Sequence, residues 1–264
     1  MQRQIVAALA SGLGLTALFW SGVTRAEPYI AVQQGLMCGQ CHVNPTGGGL
    51  RSALGNVMAQ TQLAAHGMPA GAPAWSGQLT DYFAAGGDLR AAAIWSQTQG
   101  ASAASTLSLE QFRAYLGVSV LPDRLLLYLD EQLAPDTSVN REAWVMYRPA
   151  SRSWYLKAGR LYLPFGLRLQ DQQAFTRQVA GVNMDTPDNG AELGYANATW
   201  DAQLALSGGA AGGTTPGNGR QYTAQVARVL SRWRVGVGAN RNDATALRSS
   251  AGALFAGMRT GAVA

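Results

Sequence analysis

Two cysteines and a histidine near the start of the chain have the spacing that most clearly predicts chemistry. Cys38, Cys41 and His42 form the pattern Cys-x-x-Cys-His, and the chain contains no other cysteine and one other histidine. In this pattern the two thiols attach a haem covalently through its vinyl groups, and the histidine binds the iron. The sequence therefore predicts one covalently bound haem c, held by Cys38, Cys41 and His42.

Two other interpretations of these residues fit less well. A dithiol or a local disulfide would use Cys38 and Cys41 but would not require His42. Redox sites of that kind also lie near a βαβ pattern, which this sequence does not show. A structural zinc ion needs about four ligands, and two cysteines and two histidines are all that the chain offers. Haem is the preferred interpretation, and the disulfide is the next.

A six-coordinate iron needs a second axial ligand, for which the sequence offers several candidates. His66 is the remaining histidine and is preferred on ligand type and proximity, and Met58, Met68 and the nearby Met37 are the thioether alternatives. The ordinary role of each methionine is core packing, and that of His66 is an exposed position in a loop. Arg51 is the candidate to pair with a haem propionate.

The segment that must position these residues, 27–73, is predicted to be short and partly helical. Asn44-Pro45-Thr46-Gly47-Gly48-Gly49 enforces a turn directly after His42 and lets the backbone approach a flat group closely. From Leu50 to Ala65, apolar residues recur at helical spacing. Residues 27–73 are therefore predicted to form a monohaem cytochrome c-like segment.

Residues 1–26 are predicted to be a secretory signal peptide. Arg3 precedes an apolar run over 5–23, and Thr24 and Ala26 are small residues at the positions that a signal peptidase reads. The run is also close to the length of a transmembrane helix, but its place at the N-terminus favours cleavage. Export agrees with the haem prediction, because covalent haem attachment of this kind follows export.

The composition is unusual for a soluble domain. Charged residues make up 13% of the chain, against about 25% in typical soluble domains. Glycine accounts for 32 of 264 residues, and aromatic residues are scattered along the chain. The formal charge of +5 is not clustered, so it gives no indication of nucleic-acid binding. A low content of charged residues and a high content of glycine are typical of the overall composition of membrane β-barrels.

From residue 88 onward, apolar and polar residues alternate with a period of two. The alternation is clearest over 112–120, 125–129, 154–158 and 233–239, and turn residues separate the segments. This pattern is typical of transmembrane β-strands. We predict that 88–264 is mainly β and forms an antiparallel outer-membrane barrel with about ten strands visible, give or take two.

Aromatic residues near the predicted strand ends suit the girdles found at both surfaces of a membrane barrel. They are Trp95, Trp144, Tyr147, Trp154, Trp200, Tyr222 and Trp233. A soluble β-sandwich would alternate as well, but its outer face would be more charged. The membrane barrel is therefore preferred, with outer-membrane lipid as its surroundings.

A long connection over 163–189 interrupts the strands, and loops of this length are often functional. If it folds into the lumen, Arg160, Arg168 and Arg177, with the inward residues Arg113 and Lys157, would make a basic constriction. A solvated surface loop is an equal alternative. The constriction supports a second hypothesis, a passive anion-selective porin whose two cysteines form a local disulfide.

The arrangement resembles the outer-membrane monohaem cytochrome–porin fusion proteins, in which a short haem segment precedes a β-barrel. The resemblance is carried by 38–42, by the turn over 44–49 and by the stretch 159–166, which is similar to stretches in phosphate-selective-type porins. It implies a location in the outer membrane of a Gram-negative bacterium, with the haem segment at the periplasmic side or within the barrel. It also implies electron transfer from an extracellular donor, ferrous iron in particular, to periplasmic electron carriers.

The end of the chain departs from the barrels that it resembles, which typically end on an aromatic residue. This chain ends in Gly261-Ala262-Val263-Ala264. About ten strands also make a narrow barrel, since about eight strands are filled by side chains and a water channel needs about sixteen. We therefore expect a C-terminally truncated member, and the alternative is a small barrel with the haem segment at its mouth.

No constellation of acid, base or nucleophile stands out in the sequence. An electron-transfer protein is therefore preferred to an enzyme with acid/base or nucleophilic catalysis, and an extracellular metal oxidoreductase is the enzymatic alternative. A soluble periplasmic monohaem cytochrome with a β-sandwich domain is the third hypothesis.

Overall fold

The computed structural model describes most of the chain after the predicted signal peptide, as a short helical segment followed by a sheet. The predicted signal peptide and His66 lie outside the described residues. The described ranges are 27–63, 68–69, 71–98, 100, 103–168, 181–182, 186–209, 219–244 and 247–260.

Three short helices and one π-helical turn form the N-terminal segment. They are α1 (Glu27–Gln34), α2 (Cys38–Cys41), α3 (Ala53–Met58) and the π-helical turn Ala59–Leu63. Ser52 begins α3, since its Oγ accepts a hydrogen bond from the Gly55 N–H at 3.2 Å. The same hydroxyl donates to the Gln40 carbonyl at 2.7 Å, which ties α3 to α2. Within the described residues, no helix is long and apolar enough to cross a membrane.

Ten antiparallel strands form one sheet, in which each strand pairs with the next strand in sequence. The prediction of a mainly β chain with about ten strands is confirmed. The first strand begins at Phe83, earlier than the predicted boundary at 88. The strands are β1 (Phe83–Ser96), β2 (Ala104–Leu121), β3 (Leu125–Ala134), β4 (Val139–Tyr147), β5 (Trp154–Leu161), β6 (Asp188–Ala196), β7 (Trp200–Ser207), β8 (Gln221–Val229), β9 (Trp233–Ala244) and β10 (Leu247–Met258).

The two edge strands of the sheet are not paired with each other. In the described ranges β1 pairs with β2 and β10 pairs with β9, without a ladder between β1 and β10. The sheet is therefore antiparallel and continuous from β1 to β10 but is not closed.

The polarity of the two sheet faces is the reverse of that in a typical soluble protein. The buried face is polar, and the exposed face is apolar. The inner face, defined here as the one that the N-terminal segment covers, buries polar and charged side chains. The outer face presents large apolar side chains to the surroundings, among them Leu254 with 87% of its surface exposed. Buried polar residues of the inner face include Arg113, Asp130, Glu142, Lys157, Glu192, Gln203, Gln221, Thr223, Arg234 and Asn240, and exposed apolar residues of the outer face include Leu89, Leu127, Leu129, Val145, Leu156, Leu193, Leu204, Leu206, Val235 and Val237.

Most of the predicted girdle residues are exposed, with one exception. Trp95, Trp154 and Trp233 each expose more than a third of their surface, as do Tyr147, Trp200 and Tyr222. Trp144 instead lies on the inner face, is 4% exposed and stacks on Tyr128 with ring centroids 4.5 Å apart. The alternation along β4 explains the difference, because Trp144 shares its face with Glu142 and Met146.

Leu50 connects the N-terminal segment to the first three strands. Its side chain is 1% exposed and occupies the space left by Gly86 and Gly117, where an added Cβ would lie 3.0 and 3.1 Å from the leucine methyl carbons. Its N–H donates to the Tyr128 hydroxyl on β3 at 3.2 Å. Gly86 of β1 and Gly117 of β2 thus leave the space into which Leu50 of the N-terminal segment packs.

We expect Leu50→Ala to loosen this connection. Removing a buried leucine costs about 2–5 kcal/mol, because the cavity collapses only in part. The measurement is urea-induced unfolding in detergent, together with the rate of proteolytic cleavage in the N-terminal segment. Leu54→Ala is the matched control, since Leu54 belongs to the same segment and is 47% exposed. Equal behaviour of the two variants would contradict the role assigned to Leu50.

Candidate cofactor site

Cys38 and Cys41 lie on one helical turn, α2, and His42 follows it directly. The His42 N–H donates to the Cys38 carbonyl at 2.9 Å, which places the histidine at the end of the turn. Both cysteines are half-buried free thiols. The structure therefore brings the three residues of the Cys-x-x-Cys-His pattern together without a bond between the two sulfurs.

The His42 imidazole is held in its neutral form. Burial, together with the positive charges of Arg51 and Arg168, lowers the pKa of His42 to about 4. Its Nδ1 is buried and has no hydrogen-bond partner within the described residues. A neutral imidazole with a ring nitrogen free of protein partners is the form that binds a metal.

Three consecutive glycines shape the loop after His42. Gly47, Gly48 and Gly49 have φ angles of 90°, 74° and 63°, a region that favours glycine. The loop returns to the chain that precedes it, because the Val43 N–H donates to the Leu50 carbonyl at 3.0 Å. A side chain at position 49 would overlap the Tyr128 hydroxyl. The predicted turn is present, and its glycines let the loop lie directly against the sheet. The approach of the loop to a flat group stays a prediction.

Asn44 anchors the loop to the inner face of the sheet. Its side chain is fully buried, and its amide nitrogen donates to both carboxylate oxygens of Glu142 at 3.0 and 3.2 Å. Its amide oxygen accepts from Lys157 Nζ at 3.1 Å. Arg168 donates to the Gly47 carbonyl and pairs with Glu142 at 2.9 Å. One asparagine of the segment therefore completes a buried polar network on β4 and β5.

The cations of the inner face are matched by carboxylates. Arg113 pairs with Asp130, Lys157 with Glu192 at 2.9 Å and Arg168 with Glu142, and each of these side chains is nine-tenths or more buried. Arg160 lies on the side of β5 opposite to Lys157 and therefore does not face inward. Its Nε donates to the Asn140 carbonyl at 3.1 Å. Within the described ranges, the predicted basic residues thus do not form an unpaired positive lining, and Arg177 lies outside those ranges.

A cavity lies between the N-terminal segment and the inner face of the sheet. Its walls include both cysteines, the histidine and several cationic or soft side chains. Among the lining residues are Cys38, Cys41, His42, Arg51, Met58 and Arg168. The pattern residues therefore face a partly open space between the segment and the inner face, and not the outer surface of the sheet.

The candidate axial ligands differ in how the structure places them. Met58 is 6% exposed, lines the cavity, and has its sulfur 3.9 Å from Cys41 Sγ. Met68 is half-buried and is not among the residues that line this cavity. His66 lies outside the described residues. Of the described alternatives, Met58 and Met37 both line the cavity, and Met37 directly precedes the Cys-x-x-Cys-His turn. Met58 is the one brought there from a different helix, α3.

Arg234 is a cavity residue that the sequence alone did not single out. It comes from β9, and its guanidinium lies 3.5–3.6 Å from Cys38 Sγ across 196 residues of sequence. Alternation places Arg234 among the inward positions of β9. Nothing in the sequence indicates that this strand position meets the haem motif.

Comparison of the chain with protein-family models, curated proteins and solved structures gives no match. The chemistry of the site must therefore be judged from its own residues. Two free thiols, a neutral imidazole, a buried thioether and nearby guanidinium groups suit a covalently attached haem. In the described part of the chain, no group of three or more His, Cys, Asp or Glu side chains is placed to hold a metal ion by itself, and this includes Cys38, Cys41 and His42.

We expect Asn44→Ala to release the loop from the sheet without unfolding the strands. The substitution removes one hydrogen-bond partner from Lys157 and one from Glu142, and leaving buried polar groups unsatisfied costs about 1–3 kcal/mol. Limited proteolysis should therefore cut the N-terminal segment faster. The control is Gln62→Ala, since Gln62 is exposed and makes one long hydrogen bond of 3.5 Å. Unchanged cleavage in Asn44→Ala would refute the anchor.

Proposed function

We propose that this chain is an outer-membrane c-type cytochrome. It carries electrons through one covalently bound haem between an extracellular donor and periplasmic carriers. The observation that best supports the proposal is that Cys38, Cys41 and His42 face one cavity against the polar inner side of a ten-stranded sheet. The resemblance to cytochrome–porin fusions adds ferrous iron as the proposed donor.

The polarity of the sheet supports the membrane part of the proposal. Apolar side chains on the outer face would contact lipid, and the polar inner face would be shielded by the N-terminal segment. An unpaired strand edge is costly in hydrocarbon, because its backbone groups find no partners there. The proposal therefore requires β1 and β10 to acquire strand partners in the membrane, as in a closed barrel.

Five residues of the cavity have a distinct proposed role. Cys38 and Cys41 would hold the haem through thioether bonds, His42 would bind the iron, and Met58 would be its second protein ligand. Arg51 would pair with a propionate. When bound, the haem supplies a one-electron couple between ferrous and ferric iron. Electron transfer of this outer-sphere kind needs neither an acid nor a nucleophile from the chain.

The anion-selective porin is the less favoured function. Its basic constriction is neutralised by the pairing of Arg113, Lys157 and Arg168 with carboxylates. The N-terminal segment also covers the inner face, with Asn44 and Leu50 buried against it. Both observations oppose an open pore lined by free cations.

The test of the proposal is a pyridine-haemochrome spectrum of outer membranes from a host that matures c-type cytochromes. We expect a covalent c-type spectrum in the native protein, because both thiols and His42 are in place. The spectrum should be lost in Cys38→Ala/Cys41→Ala. Heat-modifiable migration on gels, which belongs to membrane barrels, should be the same in both proteins. A native protein in the outer membrane without haem would reject the cytochrome and favour the porin.

Met58→Ala tests the second axial ligand. If Met58 binds the iron, its loss should convert low-spin ferric haem to high-spin and lower the reduction potential, since a thioether ligand favours the ferrous state. Met68→Ala is the matched control and should leave the absorption spectrum unchanged. Heat-modifiable migration verifies folding, because Met58 is also buried. A low-spin spectrum in Met58→Ala would assign the ligand to another residue.

A further inference from the structure

A row of exposed aromatic side chains lies at one end of the sheet. This end, called here the short-turn end, contains the connections 122–124, 148–153, 197–199 and 230–232 together with the start of β1 and the end of β10. The aromatic residues of the outer face at these strand ends are Phe83, Tyr147, Trp154, Tyr195, Trp200 and Trp233, each with more than a third of its surface exposed. Aromatic side chains in such rows are typical of the boundary between a membrane and water.

The chain before β1 continues this outer face beyond the edge of the sheet. Residues 77–79 turn back along β1, because the Leu79 N–H donates to the Phe83 carbonyl at 2.8 Å and the Ala85 N–H donates to the Gly77 carbonyl at 2.9 Å. In this antiparallel register Leu79 lies opposite Phe83, so the two side chains share one face. Leu79 is 57% exposed and Phe83 is 45% exposed. The apolar outer surface therefore extends past β1 at the short-turn end.

Two further large side chains of this stretch are exposed. Trp75 and Tyr82 each expose 52% of their surface. The four side chains Trp75, Leu79, Tyr82 and Phe83 are called here the pre-strand patch. Large apolar side chains that are gathered in exposed positions over a short stretch indicate an interaction surface.

The pre-strand patch is fastened to the N-terminal segment by side-chain hydrogen bonds. The Gln60 side chain accepts from the Trp75 N–H at 2.9 Å and donates to the Trp75 carbonyl at 2.6 Å. Asn56 Nδ2 donates to the Ser76 carbonyl at 2.8 Å. Asn56 belongs to α3, the helix that also carries Met58. A surface that holds the patch in place would therefore also hold α3.

Basic residues surround the same end of the sheet. They are Arg124, Arg148, Arg152, Arg228, Arg232 and Arg259, and the carboxylates in comparable positions are Asp81 and Asp123. The Arg228 guanidinium carbon lies 5.2 Å from the ring centroid of Trp200, so a cation lies directly beside the aromatic row. An excess of arginine at this level suits anionic lipid headgroups, which attract basic side chains near a bilayer surface.

We propose that the pre-strand patch lies in the headgroup region of a bilayer that contains anionic lipids, and that it anchors the N-terminal segment to the membrane surface. The inference rests on the membrane part of the proposed function. Lipid is the occupant that the structure favours, because the patch is continuous with the apolar outer face and with the aromatic row. The basic residues at the same end supply the charge complementarity.

The test maps lipid contacts by photolabelling of the holoprotein in vesicles of phosphatidylcholine and phosphatidylglycerol. One phospholipid probe carries a diazirine at its headgroup, a second carries it at the end of an acyl chain, and mass spectrometry locates the labelled residues. We expect Leu79 and Phe83 to be labelled more strongly by the headgroup probe than by the chain-end probe. Leu204 is the matched control, since it is 56% exposed in the middle of β7. It should be labelled more strongly by the chain-end probe.

Leu54 is the control within the N-terminal segment. It is 47% exposed on α3 but does not belong to the outer face of the sheet, so neither probe should label it. Leu79→Ser should reduce the labelling of Phe83 by the headgroup probe, because a hydroxyl replaces the apolar contact with lipid. The same variant should speed proteolytic cleavage of the N-terminal segment in vesicles. Leu54→Ser should leave both measurements at the native values.

Three results would overturn the inference. If Leu204 is labelled and neither probe labels the patch, the sheet lies in the membrane but something other than lipid, such as a second copy of the chain, covers the patch. If the chain-end probe labels the patch as strongly as Leu204, the patch lies in the hydrocarbon and not among the headgroups. If Leu204 is not labelled either, the membrane part of the proposed function fails as well. The labelling does not depend on the haem, so a chain without haem would reject the cytochrome alone.

Discussion

The structure depends on the burial of a polar sheet face. The inner sides of β2 to β9 carry charged and amide side chains that cannot remain buried without partners. Carboxylates of neighbouring strands supply some of the partners, and the loop after His42 supplies others. Asn44 illustrates the arrangement, because it bonds both Glu142 and Lys157. The loop after His42 is therefore part of the interior of the molecule, although other residues of the N-terminal segment are exposed.

The same constraint positions the candidate chemistry. The glycine loop approaches the sheet closely enough for Arg168 to reach the Gly47 carbonyl. Leu50 fills the space above Gly86 and Gly117. These contacts hold α2 and α3 against the inner face, and the cavity between them contains the thiols, His42 and Met58. A site that combines one short segment with distant strands is typical of functional residues that a rigid scaffold presents.

The strands and the Cys-x-x-Cys-His motif could be predicted from the sequence, because each depends only on residues that are close together in the chain. Alternation with a period of two requires only neighbouring residues, so the strands and the inward positions of Arg113 and Lys157 followed from it. The motif around His42 is local as well. The inward position of Trp144 was missed because aromatic residues near strand ends suit either face. The ion pairs and the contact of Arg234 with Cys38 depend on strand register and on docking, which no local pattern encodes.

Some contacts join neighbouring strands and others join residues far apart in the sequence, and this difference implies an order in which the parts of the chain fold. Every strand pairs with its successor, so the sheet can grow by adding adjacent hairpins with short loops. The N-terminal segment precedes all ten strands, and it makes contacts across 98 residues to Glu142 and across 196 to Arg234. It cannot complete these contacts until β9 exists. The segment therefore reaches its final place after the strands that it contacts, and Cys38 and Cys41 stay accessible until then.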